Sequence, residues 1–316
     1  LVAVAFDLNP WLGINQSLLN QRLFWQARWR QVTQQPGPTT EPITLLPLGE
    51  RIYEELGVQP TDGSVNQAVL AKAIDVLPAG EVRRIGLDFI LDGKGANPDG
   101  HDQLAEVIRK QGEQRKIFAG LCPPNSEATK DCLKALDQQL APRLAQVGAI
   151  PVSLGLGVST KTHPPLQLSV ALREGSLASS LAGSFTEGGL PNDVVIDWSV
   201  NWLDPARIQV LKSKKDLKSY RGQTLLIASD GYKGADLREP ADQHPAPIAL
   251  KAYIGQGPER FSTLQEDKIS GGVMQAVLAQ SISSQHWLRP LTPFNQTFTT
   301  AFAALIAWLM SQRIKP

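Results

Sequence analysis

The chain has 316 residues, 42% of them hydrophobic, and its 31 Lys and Arg against 30 Asp and Glu leave a formal net charge of +1. That length and apolar content suffice for a sizeable buried core. Near-neutral charge gives no electrostatic footprint for nucleic acid, and the basic run at residues 212–218 is short enough to be a solvated surface, so no nucleic-acid partner is expected.

A chain that opens on Leu1 rather than Met is expected to be a processed product or a fragment. Its first six residues are apolar but stop at Asp7, too short to cross a bilayer alone, and fit the tail of a longer membrane helix. Residues 16–30 have helix-forming composition and set Leu18, Leu19, Leu23, Phe24, Trp25 and Trp29 among Arg22, Arg28 and Arg30. Two readings stand: a helix at the membrane–water interface, where indoles sit at the headgroups and arginines snorkel, or an amphipathic helix packed on the domain. Residues 1–30 are thus a membrane-proximal unit, and the proline-rich residues 34–42 lead into a main domain spanning 31–292.

Residues 43–48 read as a first strand, and Pro42 and Pro47 demote it to a sheet edge. Val69, Leu70, Ala73, Ile74 and Leu77 have the spacing of one buried helix face over residues 66–77. The strand at 84–91 follows directly, a β-α-β unit for which a right-handed crossover is expected. Residues 101–112 read as a helix and 116–121 as a short strand, whereas 141–193 mix Gly, Pro and Ser with short apolar pieces and carry little pattern. Residues 194–202 read as a strong strand.

Residues 224–228 are apolar and partly β-branched, announced by the turn-like Tyr220-Arg221-Gly222-Gln223 and stopped by Ser229-Asp230-Gly231. This is the signature of a fully buried strand that empties into a polar loop, and 84–91 empties in the same way into Asp92-Gly93-Lys94-Gly95. Residues 270–284 form a helix with Val273, Met274, Val277, Leu278 and Ile282 near one face. Together the elements predict an α/β fold. It has a mixed, mostly parallel central sheet, strands near 84–91, 194–202 and 224–228 in its middle, helices on both faces, and membrane-flanking helices.

Residues 294–310 carry no charge. At about 1.5 Å per residue they reach somewhat less than the ~30 Å hydrocarbon core, a marginal span. Arg313 and Lys315 beyond them would set that end on the cytoplasmic side. Residues 293–316 are accordingly read as a transmembrane helix with lipid as its partner, the alternative being a buried C-terminal helix. The two cysteines, Cys122 and Cys132, enclose nine residues in a proline-bearing stretch with no further Cys or His at zinc-ligand spacing. A disulfide worth at most about 3 kcal/mol and a pair of free thiols are both open, and an extracytoplasmic location favours the bridge.

The polar inventory includes Asp88, Asp92, Asp99, His101, Asp102, Asp230, Asp236 and His244. Asp99-Gly100-His101-Asp102 has the composition of a metal-ligand cluster, but also of ordinary turn and N-cap chemistry opening the helix at 101–112. His163 and His286 read as surface or core residues rather than bases. Nothing matches a nucleophile elbow, a phosphate loop or a dinucleotide fingerprint, so neither catalysis nor a cofactor is expected. In open α/β sheets ligands lie outside the carboxyl ends of the strands. Those ends offer Asp88, Asp92, Ser229, Asp230 and Asp236, an acidic set suited to a cation or an amine-bearing small molecule. The alternative is that these aspartates cap helices and tie down turns, with Asp88 a mid-strand polar anchor.

Four pieces in order carry a family likeness. They are the arginine-bearing helix at 16–30; Gly86-Leu87-Asp88-Phe89-Ile90-Leu91; residues 220–228 followed by Asp236; and Gly271-Gly272-Val273-Met274-Gln275-Ala276, then Leu288-Arg289-Pro290-Leu291 and an apolar helix. The chain resembles the CHASE2 family of extracytoplasmic sensor domains, which occur in cyanobacterial and other bacterial signalling receptors. It departs from the family pattern at Ala228 or Ser229, where a glycine closes the strand, and at Gln275, where the helix carries a histidine. The resemblance implies a membrane-anchored sensor with its main domain in the periplasm or a lumen and partners among membrane protein subunits or a second copy. The alternatives are an accessory subunit that keeps the fold without an output module and, from the aspartates alone, an Asp-based hydrolase.

Overall fold

The computed structural model describes residues 14–35, 37, 40–61, 65–92, 100–121, 144–154, 169–170, 176–183, 194–229, 243–253, 268–288, 301–302, 305 and 308–309. Six of its strands form one sheet: β1 (Ile43–Leu48), β2 (Arg84–Ile90), β3 (Lys116–Gly120), β4 (Ile150–Pro151), β7 (Ile208–Val210) and β8 (Thr224–Ser229). The order is β4-β3-β2-β8-β1-β7 and every pairing is parallel. This is the expected α/β fold, and β2 and β8 are interior as expected.

One feature of the topology differs from the expectation. β1 is not an edge: it pairs with β7 over Ile43, Thr44 and Leu45 and with β8 from Thr44 to Leu48. Pro47, which has no N–H to donate, falls beyond the β7 register, so the proline rule holds residue by residue within an interior strand. The crossover from β1 to β2 skips a place, and β8, the last strand of the sheet in sequence, fills it.

The strand expected at 194–202 is a correction. Only β6 (Val194–Ile196) is extended, and it lies in a separate antiparallel sheet between β5 (Ser169–Val170) and β11 (Trp287–Leu288). The Asp197 carboxylate accepts from the Ser199 amide two residues on, an Asx turn that ends the strand. A further antiparallel pair joins β9 (Gln243–Pro245) to β10 (Lys268–Ser270).

Strict alternation sends the sheet's side chains into two cores. Leu46, Leu48, Ile85, Leu87, Ile117, Leu225 and Ile227 face one side, covered by α2 (Glu50–Leu56), α3 (Gln67–Asp75), α4 (His101–Gln111) and α6 (Lys214–Lys218). Ile43, Leu45, Phe118, Leu226 and Ala228 face the other, with α5 (Leu177–Ala182), α7 (Gly271–Ser283) and the buried indoles of Trp198 and Trp202. Leu23 and Ala27 of α1 (Ile14–Thr33) belong to this second core and are fully buried, so α1 is docked on the domain. Of the apolar C-terminal segment, Phe302, Leu305, Trp308 and Leu309 are exposed. Among the described residues no helix is long and apolar enough to cross a membrane.

α7 is buried on every side from Gly271 to Ile282, where the sequence pattern suggests one buried face. Asparagine and serine side chains cap two of the helices at the core: Asn66 accepts from Ala68 N at α3, and Ser270 from Val273 N at α7. Glycines set the closest approaches. A Cβ on Gly272 would sit 2.3 Å from that of Ala228, so α7 lies against β8 with no side chain of its own between them. At the N-cap of α4, Gly100 takes φ +81 and a Cβ there would lie 2.1 Å from the Ala68 amide nitrogen.

Gly272→Ala therefore sets two effects against each other. Replacing a helical glycine gains up to about 1 kcal/mol, while forcing a methyl into a filled contact typically costs about 1–3 kcal/mol. We expect a net loss of about 1–2 kcal/mol in urea denaturation, relieved when Ala228→Gly is added. A stabilised Gly272→Ala protein would contradict this packing.

Candidate functional site

The sheet's carboxyl edge, where the sequence places an acidic cleft, is built differently on its two faces. The β2–β8 register runs to Leu87↔Ile227, and β2 then bulges against β3 between Leu87 and Ile90. Asp88 lies in that bulge, half-buried. Alternation from Leu87 puts it on the α5 and α7 face. Ser229, half-buried and level with Leu48 of β1, falls by the same alternation on the α2–α4 face. The two are thus on opposite sides of the sheet. Asp92 is 6% exposed and follows Leu91, whose carbonyl is held by the α3 helix. Asp230 and Asp236 lie outside the described residues, as do Cys122 and Cys132 of the expected bridge.

Beside Asp92 is a buried polar cluster on the α3 and α4 side. The Gln67 Nε2 donates to Leu91 O at 2.8 Å, which fixes the amide so that its oxygen faces His101. The His101 Nδ1, 2.8 Å from that oxygen, must therefore carry the proton and donate. Both side chains are nearly fully buried. Of the Asp99-Gly100-His101-Asp102 tetrad, Gly100 caps the helix, His101 braces α4 against α3 and the end of β2, and Asp102 is exposed. Asp99 lies outside the described residues. Among the described residues no group of three or more His, Cys, Asp and Glu is placed to hold a metal ion.

A second polar cluster, absent from the sequence reading, centres on Asp197 in the antiparallel layer. The carboxylate is 4% exposed and accepts four hydrogen bonds. Its Oδ1 takes the Ser199 amide at 3.0 Å and the Ser199 hydroxyl at 2.6 Å. Its Oδ2 takes the Arg30 guanidinium at 3.2 Å and the His286 Nε2 at 2.9 Å. Trp202 Nε1 donates to the Asp197 carbonyl at 2.9 Å, and the same indole meets the His286 ring edge-on with centroids 6.1 Å apart. The Tyr253 hydroxyl lies 2.7 Å from Ser199 O and 3.2 Å from Ala27 O, so it too bridges the turn to α1.

Burial by itself pushes the Asp197 carboxyl up, but the bonds from His286 and Ser199 and the charge of Arg30 outweigh it and hold the group below its ordinary 3.8. The arrangement is a latch rather than a catalytic relay. The Ser199 hydroxyl donates to Asp197 and not to His286, so no base stands over a nucleophile. What it joins is informative: Arg30 lies in the last turn of α1, and His286 follows α7 and immediately precedes β11. The one sequence signal for it was Asp-x-Ser, the Asx-turn spacing, hidden inside an apolar run that reads as strand.

The chain matches no family model, no curated protein and no solved structure.

A folded-state pKa below the unfolded value makes the ionised carboxylate a stabiliser above about pH 4 and withdraws that contribution as pH falls through the folded value. Breaking a buried charged pair costs about 3–5 kcal/mol, and because Arg30 and His286 both reach solvent the lower end applies to Asp197→Ala. The gap between wild type and variant, measured by urea denaturation at pH 7 and at a series of lower pH values, should narrow as the pH falls below about 4. A gap unchanged across that range would show that the carboxylate charge contributes nothing.

Proposed function

We propose that this chain is a membrane-anchored extracytoplasmic sensor or ligand-binding module without catalysis of its own, of the CHASE2 kind that its sequence resembles. The observation that carries this reading is the Asp197 latch. The proposal has two segments at the membrane, one adjoining α1 and one beyond residue 293. Arg30 from the first flank and His286 from the approach to the second meet on a single buried carboxylate. A ligand-driven shift anywhere in the domain that alters this turn would act on both flanks at once, which is the mechanical requirement of a receptor's sensing domain. The interior polar residues support the same economy of design. Gln275, at the position where the family carries histidine, donates to Leu154 O, and Gln280 donates to Glu41 O and Arg207 O.

A second reading, an accessory subunit of a membrane assembly, is favoured by the carboxyl edge. There the Gln67 and His101 side chains are engaged in bracing helices, and Asp88 and Ser229 do not share a face. Ligand binding separates the two readings. A ligand at a hundredfold excess over its Kd stabilises the folded chain by about 2.7 kcal/mol. For a sensor we expect a rise in Tm with a cation or an amine from a broad panel, abolished by Asp230→Asn or Asp236→Asn. Stabilisation that survives both substitutions moves the site elsewhere, and no response to the panel favours the accessory subunit.

Location has its own test. With the full chain in sealed membrane vesicles, protease added to the cytoplasmic face should leave residues 43–290 intact, and protease admitted to the opposite face should cut them. Cleavage within that span from the cytoplasmic face overturns the membrane-sensor reading and the accessory reading together.

A further inference from the structure

The exposed face of α1 presents an unusual surface for a helix docked on a globular domain. Trp25, Trp29 and Val32 are 68%, 64% and 77% exposed, whereas Leu23 and Ala27 on the other side are fully buried. At about 3.6 residues per turn, residues 25, 29 and 32 form one stripe opposite the docked face, with Arg22 on one flank and Arg28 on the other. Tryptophan is the largest apolar side chain, and two of them exposed on one stripe mark a surface that something covers.

We propose that α1 lies in the plane of a bilayer surface bearing anionic headgroups, its Trp25–Trp29–Val32 stripe at the headgroup–acyl boundary while Leu23 and Ala27 hold the domain against it. This deepens the membrane location proposed above and rests on it. Charge selects the occupant. Residues 14–33 contain three arginines and no acidic residue. Arg30 is engaged by the buried Asp197, which leaves Arg22 and Arg28 flanking the stripe with their charge turned outward. Arg28 sits over the Phe24 ring, 5.5 Å from its centroid, and donates to Gln31, so its guanidinium is held along the edge of the stripe. Indoles on the apolar side with guanidinium groups along the border are the arrangement that lipid phosphates satisfy. A second copy of the chain is a poor fit. Stripe-to-stripe pairing would bring four outward guanidinium groups together with no carboxylate on either helix, and like-charge juxtaposition disfavours a complex. The exposed Phe302, Leu305, Trp308 and Leu309 give the membrane reading a second apolar surface in the same chain.

The test uses the purified full chain with sedimented vesicles of phosphatidylcholine alone and of phosphatidylcholine with 30% phosphatidylglycerol, at low and high salt. We expect partitioning to the anionic vesicles to exceed that to the neutral ones by about tenfold, and high salt to erase the difference. Arg22→Gln with Arg28→Gln should remove the anionic preference and leave neutral-vesicle binding in place. Trp25→Ser with Trp29→Ser should lower partitioning to both compositions by roughly tenfold. All these side chains are exposed, so an unchanged thermal melt keeps each comparison valid. Phe302→Ser, Leu305→Ser and Leu309→Ser together report on the C-terminal segment. If this triple variant loses binding while the Trp variant binds like wild type, the inference fails and the membrane location stands. Equal binding to both vesicle types, or none to either, overturns the inference. A Trp variant that turns a dimer into a monomer in sedimentation assigns the stripe to a second copy instead.

Discussion

The closeness of α7 to the middle of the sheet is the constraint on which the rest of the architecture depends. β8 is buried from Thr224 to Ala228 and is flanked by β1 and β2, and Ala228 on it meets the backbone of Gly272 directly. A helix seated so deep has no solvent face, which accounts for burial on every side of a segment containing Gln275, Gln280 and Ser281. Polar groups in such a place must be bonded, and each draws in a distant piece of chain. Gln275 holds the backbone at Leu154, and Gln280 holds Glu41 and Arg207 together at the start of β1. Ser281 accepts the His286 amide on its carbonyl and donates its hydroxyl to the His286 carbonyl, so the helix's end delivers that imidazole to Asp197.

Periodicity made much of this legible. The buried strands at 84–91 and 224–228 and the helices opened by Asn66 and Ser270 follow from apolar spacing and capping residues, because burial and satisfied termini are local demands. What the spacing could not carry is which strands are neighbours. β8 reaches its place between β1 and β2 through contacts more than a hundred residues apart in sequence, and nothing in its own six residues encodes that insertion. The run at 194–202 shows the complementary failure. Val-Val-Ile-Asp-Trp-Ser-Val-Asn-Trp is as apolar as a core strand, yet the Asp–Ser turn bends it and its indoles become core filler for the antiparallel layer. Trp198 and Trp202 belong in an interior, so the apolar count was right and the conformation was not.

The acidic residues divide by the same logic. Aspartates at strand ends attract a ligand reading because loops converge there, but convergence also depends on face, and a single-residue step along a strand reverses it. Asp88 and Ser229 differ by that step. Asp197, which sits in none of the glycine-bearing loops, is a carboxylate that the fold buries and that Ser199, Arg30 and His286 surround with donors. Carboxylate-rich loops are cheap for a chain to carry in water, whereas a buried carboxylate with four donors exists only because several elements converge on it.

How those four donors divide between Oδ1 and Oδ2 bears on whether the Asp197 turn can act as a coupling point. Oδ1 is satisfied from within its own turn by Ser199, independently of any other element. Oδ2 is shared by Arg30 and His286, which come from opposite ends of the described chain. If either withdraws, the other still serves that oxygen, so the domain never strands a bare buried charge, the outcome that makes broken buried pairs so costly. Both outer donors also reach water, so each can be solvated when it leaves. The cost of parting α1 from the turn is thereby kept well below that of unfolding the layer. A contact with two interchangeable partners and a self-sufficient base permits an exchange between arrangements, which a single buried pair would forbid. On the proposed reading, that exchange is how a shift of the turn would act on both membrane flanks without loss of the core beneath it.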